Sequence, residues 1–302
     1  MRSLRIATRG SALAMWQARW VAAQLSHNHP DLTIELIEIK TTGDQQTQSS
    51  LSQIGGQGVF TKEIQVALLN DRADIAVHSL KDLPTVPIAG LQLAAIPERG
   101  PVGEAFISYQ HDRFDQLPKG ATVATGSPRR RALLLHRRPD LNLIDIRGNI
   151  DSRLQKLAQH RWDGMILAEA GLARLGWSSS IKEILDPAWM VPAVGQGALA
   201  LECRSDDQAT ADLLQSLHHK PTGIAVSAER AFLAGLAGGC MLPTGALATV
   251  TGQQVTLHAV FVDAQGRFRL DEQETALGLD AERLGQRLAQ RIQARLADMP
   301  SG

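Results

Sequence analysis

Two short phrases of this chain are built alike, and they limit its possible folds more than any other feature. Ile6-Ala7-Thr8-Arg9-Gly10-Ser11 and Val123-Ala124-Thr125-Gly126-Ser127 each run from a β-prone stretch through a small-residue turn to a serine. Serine at that point is an N-cap, because its oxygen accepts from an otherwise unpaired N–H of the first helical turn. Each phrase therefore reads strand, turn, helix. The pattern around the first phrase gives strands over 4–8 and 33–39 and helices over 11–27 and 61–70. Around the second it gives strands over 105–109, 122–125, 141–146 and 164–168, with helices between. Such alternation implies mainly parallel, layered sheets. Pro192-Ala193-Val194-Gly195-Gln196-Gly197 reads as a hinge, after which 198–203 forms a strand able to rejoin the first sheet. From about residue 220 the pattern changes to a helix over 222–236, strands over 244–250, 254–262 and 268–274, and a closing helix over 280–297.

The expected fold class is thus α/β, with two similarly built α/β domains facing a ligand cleft and a small α+β domain at the C-terminal end. The expected boundaries are 1–97 with 198–215, 103–192, and 220–302. Composition agrees with a globular chain: of 302 residues, 44% are hydrophobic and 21% charged. A formal net charge of zero argues against a broad nucleic-acid-binding field. Met1-Arg2-Ser3-Leu4-Arg5-Ile6-Ala7-Thr8-Arg9 lacks the apolar core of a signal peptide, and no apolar run reaches membrane-spanning length. With 2 cysteines and no secretion signal, a reducing, cytoplasmic setting is expected.

Three constellations carry chemistry. The first is His78-Ser79-Leu80-Lys81-Asp82-Leu83-Pro84, which follows the apolar run Ala73-Asp74-Ile75-Ala76-Val77. That places polar groups at the carboxyl end of a strand, where α/β sheets bind ligands. Read as an extended segment, Lys81 and Asp82 point to opposite faces and serve two different surroundings.

The second constellation is basic. Ser127-Pro128-Arg129-Arg130-Arg131 is a helix start in which Ser caps and Pro occupies the first turn. Helix N-termini attract anions, and arginine adds bidentate recognition of carboxylate or phosphate. Arg9 and Arg147-Gly148-Asn149 take equivalent places after strands, Arg153 lies a turn into the next helix, and Arg174 ends another. Arginines at strand ends and helix starts point to a ligand with many negative charges. A nucleic-acid groove is the competing reading, but these arginines are not interleaved with aromatics, which make up only 4% of the chain.

The third is Gly238-Gly239-Cys240-Met241-Leu242-Pro243, a loop able to hold an accessible thiol. Cys203, within the apolar run Leu199-Ala200-Leu201-Glu202, reads as a small core residue. No Cys/His spacing matches a zinc site, and no dinucleotide or phosphate-loop motif occurs, so neither a metal nor a nucleotide is expected.

Taken in order, these segments resemble the porphobilinogen deaminase (hydroxymethylbilane synthase) family over nearly the whole chain. The matching pieces begin with Arg5-Ile6-Ala7-Thr8-Arg9, Trp16-Gln17-Ala18, Gly43-Asp44 and Phe60-Thr61-Lys62-Glu63. They continue through 74–84, Arg129-Arg130, Arg147-Gly148-Asn149 and 192–198, and end with Ala228-Glu229-Arg230-Ala231 and Gly238-Gly239-Cys240. The resemblance implies three domains, the first two like periplasmic binding proteins. It also implies a dipyrromethane cofactor joined by a thioether to Cys240. Four porphobilinogen molecules would then be polymerised head to tail into a linear tetrapyrrole, with loss of ammonia, by a cytoplasmic monomer.

The implied roles follow the substrate's chemistry, since each pyrrole brings two carboxylates. The resemblance assigns Lys81, Ser79, Thr125, Ser127, Arg129, Arg130, Arg147 and Arg153 to the cofactor, and Arg9, Ser11, Gln17 and Arg174 to the substrate. It assigns Asp82 to catalysis, facing pyrrole N–H groups and the cation left when ammonia departs. The alternative is a non-catalytic polyanion-binding protein with paired α/β domains, which would need the arginines but neither Asp82 nor a pyrrole on Cys240. The chain departs from the family where many members carry lysines, with Gln53 and Gln57 in their place; Pro128 is a milder departure.

Overall fold

The computed structural model describes residues 2–41, 61–236 and 243–299. They divide into two compact units, Met1–Gly100 with Gly197–Gly223, and Pro101–Gln196 with Ile224–Gly302.

The first unit is built on a five-stranded sheet of β1 (Arg2–Thr8), β2 (Leu32–Glu38), β3 (Ile75–Ser79), β4 (Leu91–Ala95) and β10 (Leu199–Arg204), in the order β2-β1-β3-β10-β4. β1 runs parallel to both β2 and β3, and β10 is antiparallel to both β3 and β4. Both faces are covered. Leu4, Ile6, Ile75 and Val77 pack with Ala18, Val21 and Leu25 of α1 (Ala12–Asn28). The alternate residues Ala7 and Ala76 pack with Ile64, Ala67 and Leu68 of α2 (Lys62–Leu69). This is why these strands read as continuous apolar runs. Helix α6 (Gln208–Gln215) adds Ala211 and Leu214 to the α1 side.

The second unit repeats the design. Its strands β5 (Glu104–Ile107), β6 (Thr122–Ala124), β7 (Asn142–Ile144), β8 (Gly164–Ala168) and β9 (Glu183–Leu185) form a sheet in the order β7-β6-β8-β5-β9. β6 is parallel to β7 and β8, and β5 is antiparallel to β8 and β9. Exchange β1, β2, β3, β10 and β4 for β6, β7, β8, β5 and β9, and the two sheets coincide strand for strand. The helices are α3 (Pro128–Arg137), α4 (Ile150–His160) and α5 (Glu169–Arg174). The same unit holds a three-stranded antiparallel sheet of β11 (Thr244–Thr251), β12 (Gln254–Val262) and β13 (Arg269–Leu277), with α7 (Lys220–Gly235) and α8 (Ala281–Ala297) beside it. Val260 and Val262 of β12 join Leu133 and Leu134 of α3 in one core cluster.

The sequence-derived elements are present, and the differences have physical reasons. β3 extends through His78 and Ser79, because β10 pairs along it and supplies the ladder partners. Leu80–Asp82 is then one turn of 3-10 helix and not the extended segment expected, so Lys81 and Asp82 do not face opposite ways as strand neighbours would. β4 and β9 were not anticipated. β9 is only three residues long, and β4 alternates too weakly to stand out without its partner β10.

Candidate functional site

In each unit the polar groups gather where β1 and β3, or β6, β7 and β8, end. After β1 the chain turns at Arg9-Gly10 into α1, and Ser11 Oγ accepts from the N–H of Ala14 at 3.4 Å. Buried Thr8 donates its hydroxyl to the carbonyl of Ala14 at 3.1 Å, fixing the same turn from within. A Cβ at position 10 would lie 2.2 Å from Glu38 Oε1, the end of an exposed side chain that can swing aside. Arg9 is half-buried.

The neighbouring strand β3 ends at Ser79, whose Oγ accepts from Gln17 Nε2 of α1 at 2.8 Å. Two residues assigned to ligand binding by resemblance thus hold each other. The N–H of Leu80 donates to the carbonyl of Ala198 at 3.0 Å, which anchors the 3-10 turn to the start of β10. Lys81 is half-buried on that turn and Asp82 is exposed.

Beneath this turn lies a group that sequence reasoning missed. His78 Nε2 is 3.0 Å from Glu202 Oε2, in a direction that makes no hydrogen bond, and Gln65 Nε2 donates to the same oxygen at 2.9 Å. All three side chains are buried. The pairing of β10 with β3 brings Glu202 there, and that long-range register has no local sequence signal.

The second unit shows the same construction. Ser127 Oγ accepts from the N–H of Arg130 at 3.4 Å, and buried Thr125 Oγ1 accepts from the N–H of Ser127 at 3.3 Å. A Cβ on Gly126 would come within 2.5 Å of the backbone carbonyl oxygen of Ile146, so this turn needs glycine. Arg129 and Arg130 point inward from α3 and are buried. Arg129 donates to Glu104 Oε1 and to the carbonyl of Val191 at 2.6 Å. Arg130 donates through Nε to Glu104 Oε2 at 2.8 Å and through Nη1 to the carbonyl of Ile166 at 3.1 Å. Burial drives the Arg129 pKa down; the Glu104 charge opposes this and the Arg130 charge adds to it. Glu104 was not anticipated, although a single acid leading the apolar run Ala105-Phe106-Ile107 was a visible signal.

Arg147, after β7, is half-buried, with its Nε enclosed and without a hydrogen-bond acceptor, 3.7 Å from Asp145 Oδ2. Gly148 has φ 109°, open to glycine and strained for other residues, and its carbonyl accepts from Arg153 Nε at 2.7 Å. Arg174 closes α5, and burial lowers its pKa to about 10. Both capping hydroxyls, Ser11 and Ser127, retain an O–H to donate while they accept from the helix. The donors in each unit are those a polycarboxylate requires: guanidinia, hydroxyls and helix N-termini.

Cys203 is fully buried in β10, and burial raises its thiol pKa to about 11. Cys240, Gln53 and Gln57 lie outside the described residues. Among the described residues no group of His, Cys, Asp and Glu could hold a metal ion, and no helix is long and apolar enough to cross a membrane.

Comparison with known proteins gives two family models that match in succession. "Porphobilinogen deaminase, dipyromethane cofactor binding domain" matches residues 4–212, and "Porphobilinogen deaminase, C-terminal domain" matches 224–294. The porphobilinogen deaminase of Syntrophotalea carbinolica is 45% identical over 296 residues, covering 98% of this chain and 94% of that protein. That of Nitratidesulfovibrio vulgaris is 48% identical over 267 residues, covering 88% and 84%. Among solved structures, a methionine-binding lipoprotein of Bacillus subtilis matches with a TM-score of 0.44 and 12% identity, covering 73% of this chain and 92% of that one.

Proposed function

The chain belongs to the porphobilinogen deaminase family, and from that premise we propose a role for each residue at the two strand-end clusters. The reaction is the head-to-tail polymerisation of four porphobilinogen molecules on a dipyrromethane primer, with release of one ammonia for each, and hydrolysis by one water then frees the linear tetrapyrrole hydroxymethylbilane. The observation that carries the assignment is that both clusters occupy the same edge of two sheets ordered alike. Each edge combines capped helix starts with cationic side chains.

The dipyrromethane cofactor, when bound, supplies the pyrrole carbon to which the first substrate is joined, and its acetate and propionate groups are the polyanion. The residues present fit it. Two buried guanidinia share one carboxylate, and Arg147 Nε is enclosed without an acceptor. Arg129, Arg130, Arg147 and Arg153, with Thr125 and Ser127, would hold its carboxylates, together with Ser79 and Lys81. A charge-assisted hydrogen bond nets about 1.5–3 kcal/mol. A carboxylate buried without a partner costs several kcal/mol, so many donors are required. Cys240 is the residue we assign to its thioether, since Cys203 is enclosed in the core.

Porphobilinogen itself brings two carboxylates and an aminomethyl group. Arg9, Ser11, Gln17 and Arg174 would hold the carboxylates. Asp82, exposed on its 3-10 turn, would face the aminomethyl end. There its carboxylate keeps the amine protonated, which makes ammonia the leaving group, and offsets the positive charge that then spreads over the ring. After the carbon–carbon bond forms, the same carboxylate accepts the proton lost from the attacked pyrrole carbon. We further assign the protein to the cytoplasm as a monomer that binds no nucleic acid.

The test is direct. The purified chain given porphobilinogen should release ammonia and form a linear tetrapyrrole, and Arg147→Leu or Arg174→Leu should impair this by tenfold or more. Unchanged kinetics in both variants would remove these arginines from the site.

A further inference from the structure

Glu104 touches neither cluster's exposed surface, yet Arg129 and Arg130 of α3 converge on it. It begins β5, opposite Ala168 in the antiparallel pairing with β8, and its side chain is fully enclosed. Arg129 binds Oε1 and Arg130 binds Oε2, the latter at 2.8 Å through Nε and 2.7 Å through Nη2. The carbonyls of Val191 and Ile166 hold the opposite side of each guanidinium, at 2.6 and 3.1 Å. Each guanidinium plane is therefore fixed from two sides. Within this triad two cations meet one anion, so the three side chains together carry one positive charge.

We propose that Glu104 is the positioning residue of the Arg129–Arg130 pair. It aims both guanidinia and holds the pair at one net positive charge, so that this part of the site takes a single carboxylate. Without Glu104 two enclosed guanidinia would repel each other and draw in any available anion. With a second acid there, the pair would be neutral and would not recruit a carboxylate from water. The inference rests on the reading that Arg129 and Arg130 hold a cofactor carboxylate.

The experiment compares Glu104→Gln, Glu104→Asp, Arg129→Leu and Arg130→Leu with the unmodified chain, each purified as made in cells. Intact mass gives the fraction carrying the cofactor, and melting is followed with and without sulfate. Glu104→Gln should melt lower by about 10 °C at low ionic strength. Sulfate at on the order of 10 mM should restore much of that loss, because an anion bound only to the folded state stabilises it. It should move the unmodified chain far less. The loaded fraction of Glu104→Gln should fall severalfold. Glu104→Asp keeps the charge but not the reach, so it should lose loading without acquiring the sulfate response; if Glu104→Gln fails to fold, this variant decides. Glu104→Gln with full loading and an unmodified sulfate response would overturn the proposal, as would Glu104→Asp with full loading. Full loading and turnover in both arginine variants would instead overturn the carboxylate-binding reading itself.

Discussion

Asp82 carries the proposed chemistry, and its position is a matter of local geometry. It stands on a 3-10 turn tied to Ala198 through Leu80, beside Ser79, which Gln17 holds. Asp82→Asn is isosteric and should preserve the far-ultraviolet spectrum and melting temperature. It should lower kcat by about a hundredfold or more, the cost of removing one electrostatic contact from a developing charge. Near-normal tetrapyrrole formation by a folded Asp82→Asn protein would refute the role. Sequence made this residue legible because strand, polar cluster and proline follow one another within a dozen positions. It did not reveal that His78, in the same cluster, belongs to the interior with Glu202 and Gln65. Glu202 lies 124 positions further along the chain, and no local pattern carries that pairing. Glu104 was missed for the same reason: its partners are brought to it by β5 joining β8 and by α3 packing on the sheet.

At the level of elements, the turn between strand and helix is the unit that was most legible and is most constrained. Ser11 and Ser127 cap as their sequence pattern required. Gly126→Ala should therefore destabilise the fold by about 1–3 kcal/mol, because its Cβ would meet the carbonyl oxygen of Ile146 at 2.5 Å. Urea denaturation measures this, and an unchanged midpoint would show that the turn yields. The hinge-like segment 192–197 has its own brace. Buried Glu229 of α7 accepts from the N–H of Gly195 at 2.7 Å and of Ala248 at 2.9 Å. Glu229→Ala leaves two enclosed N–H groups unpaired, at about 1–3 kcal/mol each, and should lower stability by more than Gly126→Ala does. Equal or smaller loss would mean that water or a local shift satisfies both groups. The motif Ala228-Glu229-Arg230-Ala231 was visible as part of the resemblance, but its bracing role needed the packing of α7 beside β11.

For the molecule as a whole, stability should depend on acid in a definite direction. Burial alone would raise the carboxyl pKa of Asp74, but hydrogen bonds from Arg5 and Arg204 outweigh it and lower the value. Arg5 contributes its backbone N–H at 2.8 Å and two guanidinium contacts at 3.1 and 2.8 Å. A carboxyl whose folded pKa is depressed adds stability above its unfolded value, near 3.9, and loses it as pH falls through the folded value. Asp74→Asn should therefore cost more stability at pH 7 than in acid, the difference shrinking as pH falls through the folded value. A constant cost across that range would contradict the linkage.

A primer anchored at Cys240, as proposed, adds to the mass of the protein made in cells, and that mass is the decisive measurement. The intact mass should exceed the sequence value by one dipyrromethane, with the addition on the tryptic peptide of Cys240. Cys240→Ala should show no added mass and no turnover. Cys203→Ala, which shortens a side chain enclosed in β10, should keep both at a cost of about 1 kcal/mol. An adduct on the Cys203 peptide, or an unmodified Cys240 in a preparation that makes tetrapyrrole, would contradict that anchoring.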